Sequence, residues 1–500
     1  MPKKFKNTKK GSGQSFSGEK ALRFIAIGDG VTKNLTIYEY GEDIIAVDFG
    51  IGFPEGDAFG VDFIVPDMTY LLENSHKVRG LFITHAHADH YAAVPYLLQQ
   101  LNVPIYANKL TQEYIKSQLD EKAFKSLKEG TQFHLFDETV GEVELGPFKI
   151  SAFNVNHSVP NSLGIAINTP EGLMLHMADF KIDNSPIIDP VIDLKTIADY
   201  GEKGVLCLAS DCLGSRTEGF VNSESTLNNT FPDIFRKYPH QQIFITAISS
   251  NIARMRQIIE AADKAGRKVV PTGRSIDQSI SVAQNLGYIP FGEEHFVDLR
   301  KAKDMPQDKL VYIIAGCFGQ SGSALDRLSL GDHRDLSLQE GAIVIFSSEP
   351  NPPGVDVDVE RVVSGLILEG AEVVDHHDRD DLHISGHGHK GELSKVASLV
   401  KPQYYIPIGG GVSHIHSYAN MISSMGVDKN RVFELLEGDV VEFAHGRARL
   451  GKRLEVNDLF IDGVGVSPVV IKDRAQLASD GVLVVVIPVS QKERKVIGKV

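Results

Sequence analysis

The hydrophobic positions along the chain fall into two textures. From residue 22 they form short β-branched stretches parted by turn signals. RFIAIGD, NLTIYEY and IIAVDFG predict three successive strands, with Gly41-Glu42-Asp43 turning between the last two. GLFITHAHADH predicts a strand running into a polar loop, and YAAVPYLLQQL carries helical spacing, so a strand–loop–helix unit holds a histidine-rich segment. Strand signals resume at FKISAFNV, LGIAINT, LMLHMAD and GVLCLASD. After Asp211 the texture changes. IFITAIS, NIARMRQIIEAADKAG, KVVPTG, SIDQSISVAQNLG, LVYIIAG and AIVIFSS alternate single strands with helices, the pattern of βαβ units on a parallel sheet. From about residue 366 strands return, around a second histidine-rich loop, the helix LSKVASLVKP and the strands YYIPIGG, VVEFAH, LFIDGV and VLVVVIPV. The simplest architecture is one α/β domain interrupted by another near residue 211. The boundaries predicted are a basic disordered tail at 1–19, an outer domain at 20–210 and 366–480, an inserted domain at 211–365, and at 481–500 a linker or truncated C-terminal domain.

Composition narrows the function classes. Of 500 residues, 51 are Lys or Arg and 65 are Asp or Glu, a net charge of −14, which argues against coating nucleic acid by charge alone. It leaves open a protein that grips phosphates through metal ions. No stretch approaches the roughly 18 apolar residues that span a bilayer, and MPKKFKNTKK has no apolar core behind it, so neither a membrane protein nor a secretory signal is expected. Three cysteines, Cys207, Cys212 and Cys317, have no metal-ligand spacing and cannot staple a chain of this length, which predicts a reducing, cytoplasmic compartment.

The strongest chemical signal is Thr84-His85-Ala86-His87-Ala88-Asp89-His90. Three imidazoles and a carboxylate crowd one strand-to-helix loop, an arrangement that a bound cation explains. His85 and His87, two apart in an extended loop, face the same way and can share one ion; Asp89 and His90, past the bend, can serve a second. Nitrogen and oxygen donors without thiolate suit Zn²⁺, with Mn²⁺ or Fe²⁺ as alternatives. His157 in NVNHSVPNS and Asp179 in LHMADFKID each follow a strand and can complete the set, Asp179 as a bridge. Asp48 in AVDFG is a candidate to orient a ligating imidazole from behind.

THAHADH, NHS, ADFK and VDFG are arranged as in the metallo-β-lactamase fold. The longer stretches IVPDMTYLLENSHKVRGLFITHAHADHYAAVPYLL, SDCLGSRTEGFVNSE, SSNIARMRQIIEAADKAGRKVVPTGRSIDQSISVAQNLGYI and LHISGHGHKGEL resemble ribonuclease J, the bacterial branch of the β-CASP nucleases, from about residue 22 to 500. The resemblance implies a metallo-β-lactamase αββα sandwich with an inserted β-CASP α/β domain. It implies 5′→3′ exonuclease and endonuclease activity on single-stranded RNA with a preference for a 5′-monophosphate, and a homodimer or homotetramer. Carried across, His85, His87, His157 and Asp179 would hold the first zinc, and Asp89, His90 and Asp179 the second. Asp211 matches an acidic residue at the entry to the inserted domain. His383, Ser385, Gly386 and His387 match the segment over the scissile phosphate, with Asp89, His383, His387 and Asp211 as catalytic groups and Ser385, Gly386 and His387 as substrate-binding ones.

Three departures qualify this picture. The family's Pro-x-His-Gly-Glu, whose histidine completes the second metal site, reads here Pro407-Ile408-Gly409-Gly410-Gly411, so a second ion is expected to be weakly held; His414 and His416 lie nearby without the family's spacing. Ala315-Gly316-Cys317-Phe318-Gly319-Gln320 stands where the family tends to read Thr-Gly-Ser-Gln-Gly-Glu, and Ala253 where histidine is common. The family's small C-terminal domain is expected to be missing after SQKERKVIGKV, either naturally or by trimming. A metal-dependent ribonuclease is the leading expectation. A divergent hydrolase of lactones, β-lactams or other small esters, and a non-catalytic partner in RNA decay, are its rivals.

Overall fold

The computed structural model describes residues 20–28, 31–53, 61, 63–348 and 355–462, with backbone alone at 464–466, 489–490 and 495–496. The predicted tail at 1–19 and most of 481–500 lie outside the described residues. Among the described residues no helix is long and apolar enough to cross a membrane.

Strand alternation sorts the first strands onto two faces. Along Leu22–Ala26, Thr36–Tyr40, Asp43–Val47 and Val78–Phe82, the side chains of Phe24, Tyr38, Ile45, Val47 and Phe82 enter one core, and Ile25, Ile37, Ile44, Ala46 and Leu81 enter another. A sheet apolar on both faces must be covered twice, since each such side chain contributes about 1.5–3 kcal/mol on burial. These strands form the middle of an eight-stranded sheet, extended by Val440–Ala444 and Arg447–Leu450 at one edge and by Ile105–Ala107 and Phe133–Leu135 at the other. A six-stranded sheet packs against it, ordered Tyr404–Ile408, Cys207–Asp211, Gly172–His176, Leu163–Thr169, Phe148–Asn154, Val143–Leu145. Ile165, Met174, Ala209 and Ile406 meet Phe24 and Val47 between the sheets. Val94–Leu98 and Lys109–Leu119 cover the outside of the first sheet, and Leu194–Lys203, Lys390–Val400 and Val412–Ser424 the outside of the second. The result is an αββα sandwich.

The inserted unit is a five-stranded, all-parallel sheet ordered Lys268–Thr272, Leu310–Ile314, Ile243–Thr246, Ile343–Phe346, Glu372–Val374. Ile252–Lys264 and Arg274–Asn285 pack on one face, Ala324–Ser329 and Asp356–Leu368 on the other. Residue 365 lies inside the helix Asp356–Leu368, and Glu372–Val374 pairs with Ile343–Phe346, so the insertion runs to Val374. The strand that closes the sheet is three residues long, too short to leave a periodic signal. The two units touch where Tyr114 donates to Ser279 Oγ at 2.6 Å.

Candidate metal centre

The histidine loop is set by the end of the strand Asp43–Val47. Asp48, in the left-handed region at φ 63°, accepts hydrogen bonds from the Thr84 backbone at 2.8 Å and from the Thr84 hydroxyl at 2.9 Å. Its other contact is His90 Nδ1 at 2.8 Å. One buried carboxylate therefore fixes both the start of the loop and the ring that ends it, which leaves His90 Nε2 pointing into the centre. Gly50 makes this fit possible: a Cβ there would lie 1.6 Å from the Asp89 carbonyl oxygen.

Three ring nitrogens converge next to it. His87 Nδ1 lies 3.2 Å from His85 Nε2 and 3.0 Å from His157 Nε2. Ligands on a tetrahedral Zn²⁺ with bonds of about 2.0–2.1 Å stand roughly 3.3 Å apart, so the donor set fits one ion closely. Asp179 Oδ2 completes it, 3.7 Å from His85 Nε2 and 3.8 Å from His157 Nε2. The same oxygen is 3.2 Å from His90 Nε2, which is itself 3.4 Å from Asp89 Oδ2. Asp179 thus joins two donor groups that involve the histidine loop, His85, His87, His157 and Asp179, and beside them Asp89, His90 and Asp179, and it also groups with Asp211 and His387.

The electrostatics favour ligation at the first donor set. Burial, then crowding by neighbouring imidazoles, holds His85 and His157 well below the usual histidine range, so their nitrogens keep free lone pairs. Burial brings His87 down to about 4, against the pull of Asp89 and Asp179. Burial opposes charge on His90 too, but Asp179, Asp89 and Asp48 outweigh it and raise that group well above its ordinary value. Asp179 is also buried, yet His90 and His387 draw it well below the carboxylate range. Backbone and hydroxyl groups orient the rings from outside: His157 Nδ1 meets the Gly386 carbonyl at 2.7 Å, and His87 Nε2 meets Ser158 Oγ at 3.1 Å.

Asp211 and His387 form a dyad at the edge of this centre. Asp211 is fully buried, its Oδ2 is 2.8 Å from His387 Nδ1, and its Oδ1 accepts the Leu213 N–H at 2.8 Å. Burial works against a charged His387, but Asp211 and Asp179 outweigh it and raise the ring to about 9. His387 Nε2 lies 3.9 Å from Asp179 Oδ2. Ser385 Oγ lies 3.1 Å from both the N and the O of His387, closing a tight turn. Gly386 sits against the first donor set, where an added Cβ would lie 2.8 Å from His157 Cε1. Gly386→Ala is therefore expected to displace His157 and lower metal affinity roughly 10–100-fold, as equilibrium dialysis would record. His383 stands apart from the donor groups, near Glu224, where it adds to the pull of Arg254 and Lys181 that keeps that buried carboxyl below its usual value.

Two of the departures from the family pattern, at Gly409 and Ala253, border the site. Gly409 has φ +69°, and a Cβ there would be 3.2 Å from Asp179 Oδ1 and 3.4 Å from Asp211 Oδ1. A side chain at 409 would therefore stand against Asp179 and Asp211, at the edge of the donor groups. In its absence Gly409, Gly410, Ile408, Val412, Leu435 and Asn34 line a cavity of about 260 Å³. His416 turns away to Glu434, 3.0 Å off, and neither it nor His414 belongs to a metal-ligating cluster among the described residues. Ala253 and Asn251 line a small cavity with His157, Ser158 and Asp189, so the parallel sheet turns the C-terminal ends of its strands toward the metal loop. Ligands bind at such ends in open α/β sheets.

Asp189, in that cleft, is pushed up to about 7 by burial, against the Asn161 N–H it accepts and with Glu138 and Asp183 adding to the rise. A carboxyl raised in the folded state destabilises the fold as it ionises, so stability should fall as pH rises from about 4 through about 7. Asp189→Asn should raise the melting temperature at pH 8 and leave it unchanged near pH 4; equal shifts at both pH values would contradict this.

Asn34 was not legible in the sequence. It lies 55 residues before Asp89 with no motif around it, yet its Nδ2 stands 3.1 Å from His90 Nε2.

An αββα sandwich with clustered imidazoles at a strand end, interrupted by a parallel-sheet unit, defines a metallo-β-lactamase-fold hydrolase of the β-CASP class. Residues 240–366 match the family model described as Ribonuclease J, beta-CASP domain, and residues 59–192 the Beta-lactamase superfamily domain. Ribonuclease J 1 of Streptococcus pyogenes is 35% identical over 459 residues, 91% of this chain and 80% of its own length. Ribonuclease J2 of Bacillus subtilis is 31% identical over 481 residues, 95% of this chain and 85% of its own. A solved protein of unknown function from Enterococcus faecalis shares the fold, with a TM-score of 0.57 at 15% identity over 85% of this chain and 100% of that one. The chain belongs to the ribonuclease J family.

Proposed function

We propose that the protein is a metal-dependent ribonuclease that cleaves phosphodiesters of single-stranded RNA, 5′→3′ from a 5′-monophosphate and also internally. The observation that carries this reading is the pairing of the convergent donor set His85, His87, His157 and Asp179 with the His387–Asp211 dyad beside it. Bound there, two ions would supply hydroxide at neutral pH and charge to offset phosphate oxygens. Asp89 accepts the attacking water's proton. His387, kept protonated through its 2.8 Å bond to Asp211, donates from Nε2 to the departing 3′ oxygen. Ser385, Gly386 and His383 hold the scissile phosphate and its neighbour. Three imidazoles and a carboxylate favour zinc at the first site. A reducing cytoplasm and a homo-oligomer accompany this reading.

No finding favours the ester-hydrolase or non-catalytic readings. The test compares RNA bearing 5′-monophosphate, 5′-triphosphate or 5′-hydroxyl ends with nitrocefin and a homoserine lactone. Fastest release of mononucleotides from the monophosphate, lost in His387→Ala with metal content unchanged, is the expected result. Lactam or lactone turnover without RNA decay would overturn the proposal.

A further inference from the structure

The second donor group has only three members from the histidine loop and Asp179, and glycine stands where a side chain at 409 could have supplied a fourth. The structure offers another residue at that place. Asn34 Nδ2 lies 3.1 Å from His90 Nε2 and 3.3 Å from Asp89 Oδ2. Its distance to His90 Nε2 is no longer than that of Asp179 Oδ2, at 3.2 Å, or Asp89 Oδ2, at 3.4 Å. These separations match those between ligands that share one ion. Asn34 is also held rigidly. Its backbone N–H donates to the Asp89 carbonyl at 3.0 Å and its carbonyl accepts the Gly50 N–H at 3.1 Å, which clamps it to the turn that carries Asp89 and His90. Next to it the buried Lys33 pairs with Glu437 at 2.6 Å and with Asp458, anchoring the segment to the C-terminal part of the sandwich.

We propose that the Asn34 carboxamide oxygen is the fourth protein ligand of the second metal site, in the place that Gly409 leaves vacant. Without an ion, the amide Nδ2 donates to Asp89 Oδ2 and stands against His90 Nε2, the two atoms a cation would take. A half-turn about Cβ–Cγ exchanges the amide's oxygen for its nitrogen and aims the carbonyl at the same point. The turn gives up the 3.1 Å bond from Nδ2 to the Asp89 carbonyl, which keeps its backbone partner, the Asn34 N–H. The resulting set is one imidazole and three oxygens. That is a harder site than the first, with its three imidazoles, and it suits Mn²⁺ better than the first site does. The two sites are then distinguishable by metal.

The proposal rests on the two-ion reading of the centre, and the test separates the two. Protein loaded with one zinc per chain is titrated with Mn²⁺, and free Mn²⁺ is read by electron paramagnetic resonance, with zinc content measured in parallel. Wild type should bind one Mn²⁺ per chain. Asn34→Ala should weaken that ion roughly tenfold or more and leave the zinc in place, and Asn34→Asp should tighten it by adding charge. Unchanged or tighter Mn²⁺ binding in Asn34→Ala, with wild type holding its second ion, would overturn the role of Asn34 alone. No Mn²⁺ bound by wild type would overturn the two-ion reading as well. Asn34→Asp, close to isosteric, keeps the test decisive if the alanine variant fails to fold.

Discussion

Asp179→Ala should abolish RNA hydrolysis and release at least one ion from the centre while the fold stays intact. Asp179 belongs to both donor groups, and its Oδ2 lies within 3.9 Å of nitrogens on His85, His90, His157 and His387. Removing it takes a ligand from each site at once. It also removes a carboxylate that raises both His90 and His387, and so should weaken the acid role proposed for His387. Losing an outer partner of a metal ligand costs about 10–100-fold, and losing the bridge itself should exceed that. Asp179→Asn, which keeps the shape with a neutral oxygen, should fall between. Single-turnover cleavage of labelled RNA, with metal content measured on the same sample, decides it. An alanine variant with wild-type rate and metal content would show that Asp179 is not the bridge.

The second large effect is expected at the joint between the two units, beside the small cavity that Glu224 lines with His157. Arg254 is fully buried, with Nε 2.7 Å from Glu224 Oε1 and Nη1 donating to Ser347 Oγ at 2.8 Å, to the Ser347 carbonyl at 3.0 Å and to the Leu382 carbonyl at 3.2 Å. Lys181, also buried, faces Glu224 Oε2 at 3.8 Å and Asp183 at 3.5 Å. This cluster ties the helix Ile252–Lys264 to the strand end at Ser347 and to the loop that runs from Leu382 to His387. Removing one partner of a buried ion pair leaves an uncompensated charge and costs about 3–5 kcal/mol. Arg254→Met should lower the unfolding free energy by that amount in urea, and Arg254→Met with Glu224→Gln should recover much of it. A loss under about 1 kcal/mol in the single variant would mean that Lys181 alone neutralises Glu224.

Much of the fold was legible because alternation is a local signal. Phe24 and Ile25, or Tyr38 and Ile37, are neighbours in sequence that enter different cores, and that pattern alone demands two covered faces. The last strand of the inserted sheet, Glu372–Val374, was hidden because it is three residues paired by long-range contacts. At the site, His85, His87, Asp89 and His90 were legible because one loop carries them all. Asn34 was hidden because it reaches the centre only through the pairing of its backbone with Asp89 and Gly50. The Gly386 carbonyl that orients His157 was hidden for a different reason: every residue has a carbonyl, and only the fold says which one is used.

The most direct measurement is RNA decay under control of the metal. Single-stranded RNA with a 5′-monophosphate is given to metal-loaded protein, to protein stripped by chelator, and to stripped protein with Zn²⁺ and Mn²⁺ restored. Mononucleotides should appear with the loaded protein, vanish on stripping and return on restoration. Intact RNA beside protein that holds both ions would contradict the assignment of this centre as a ribonuclease site.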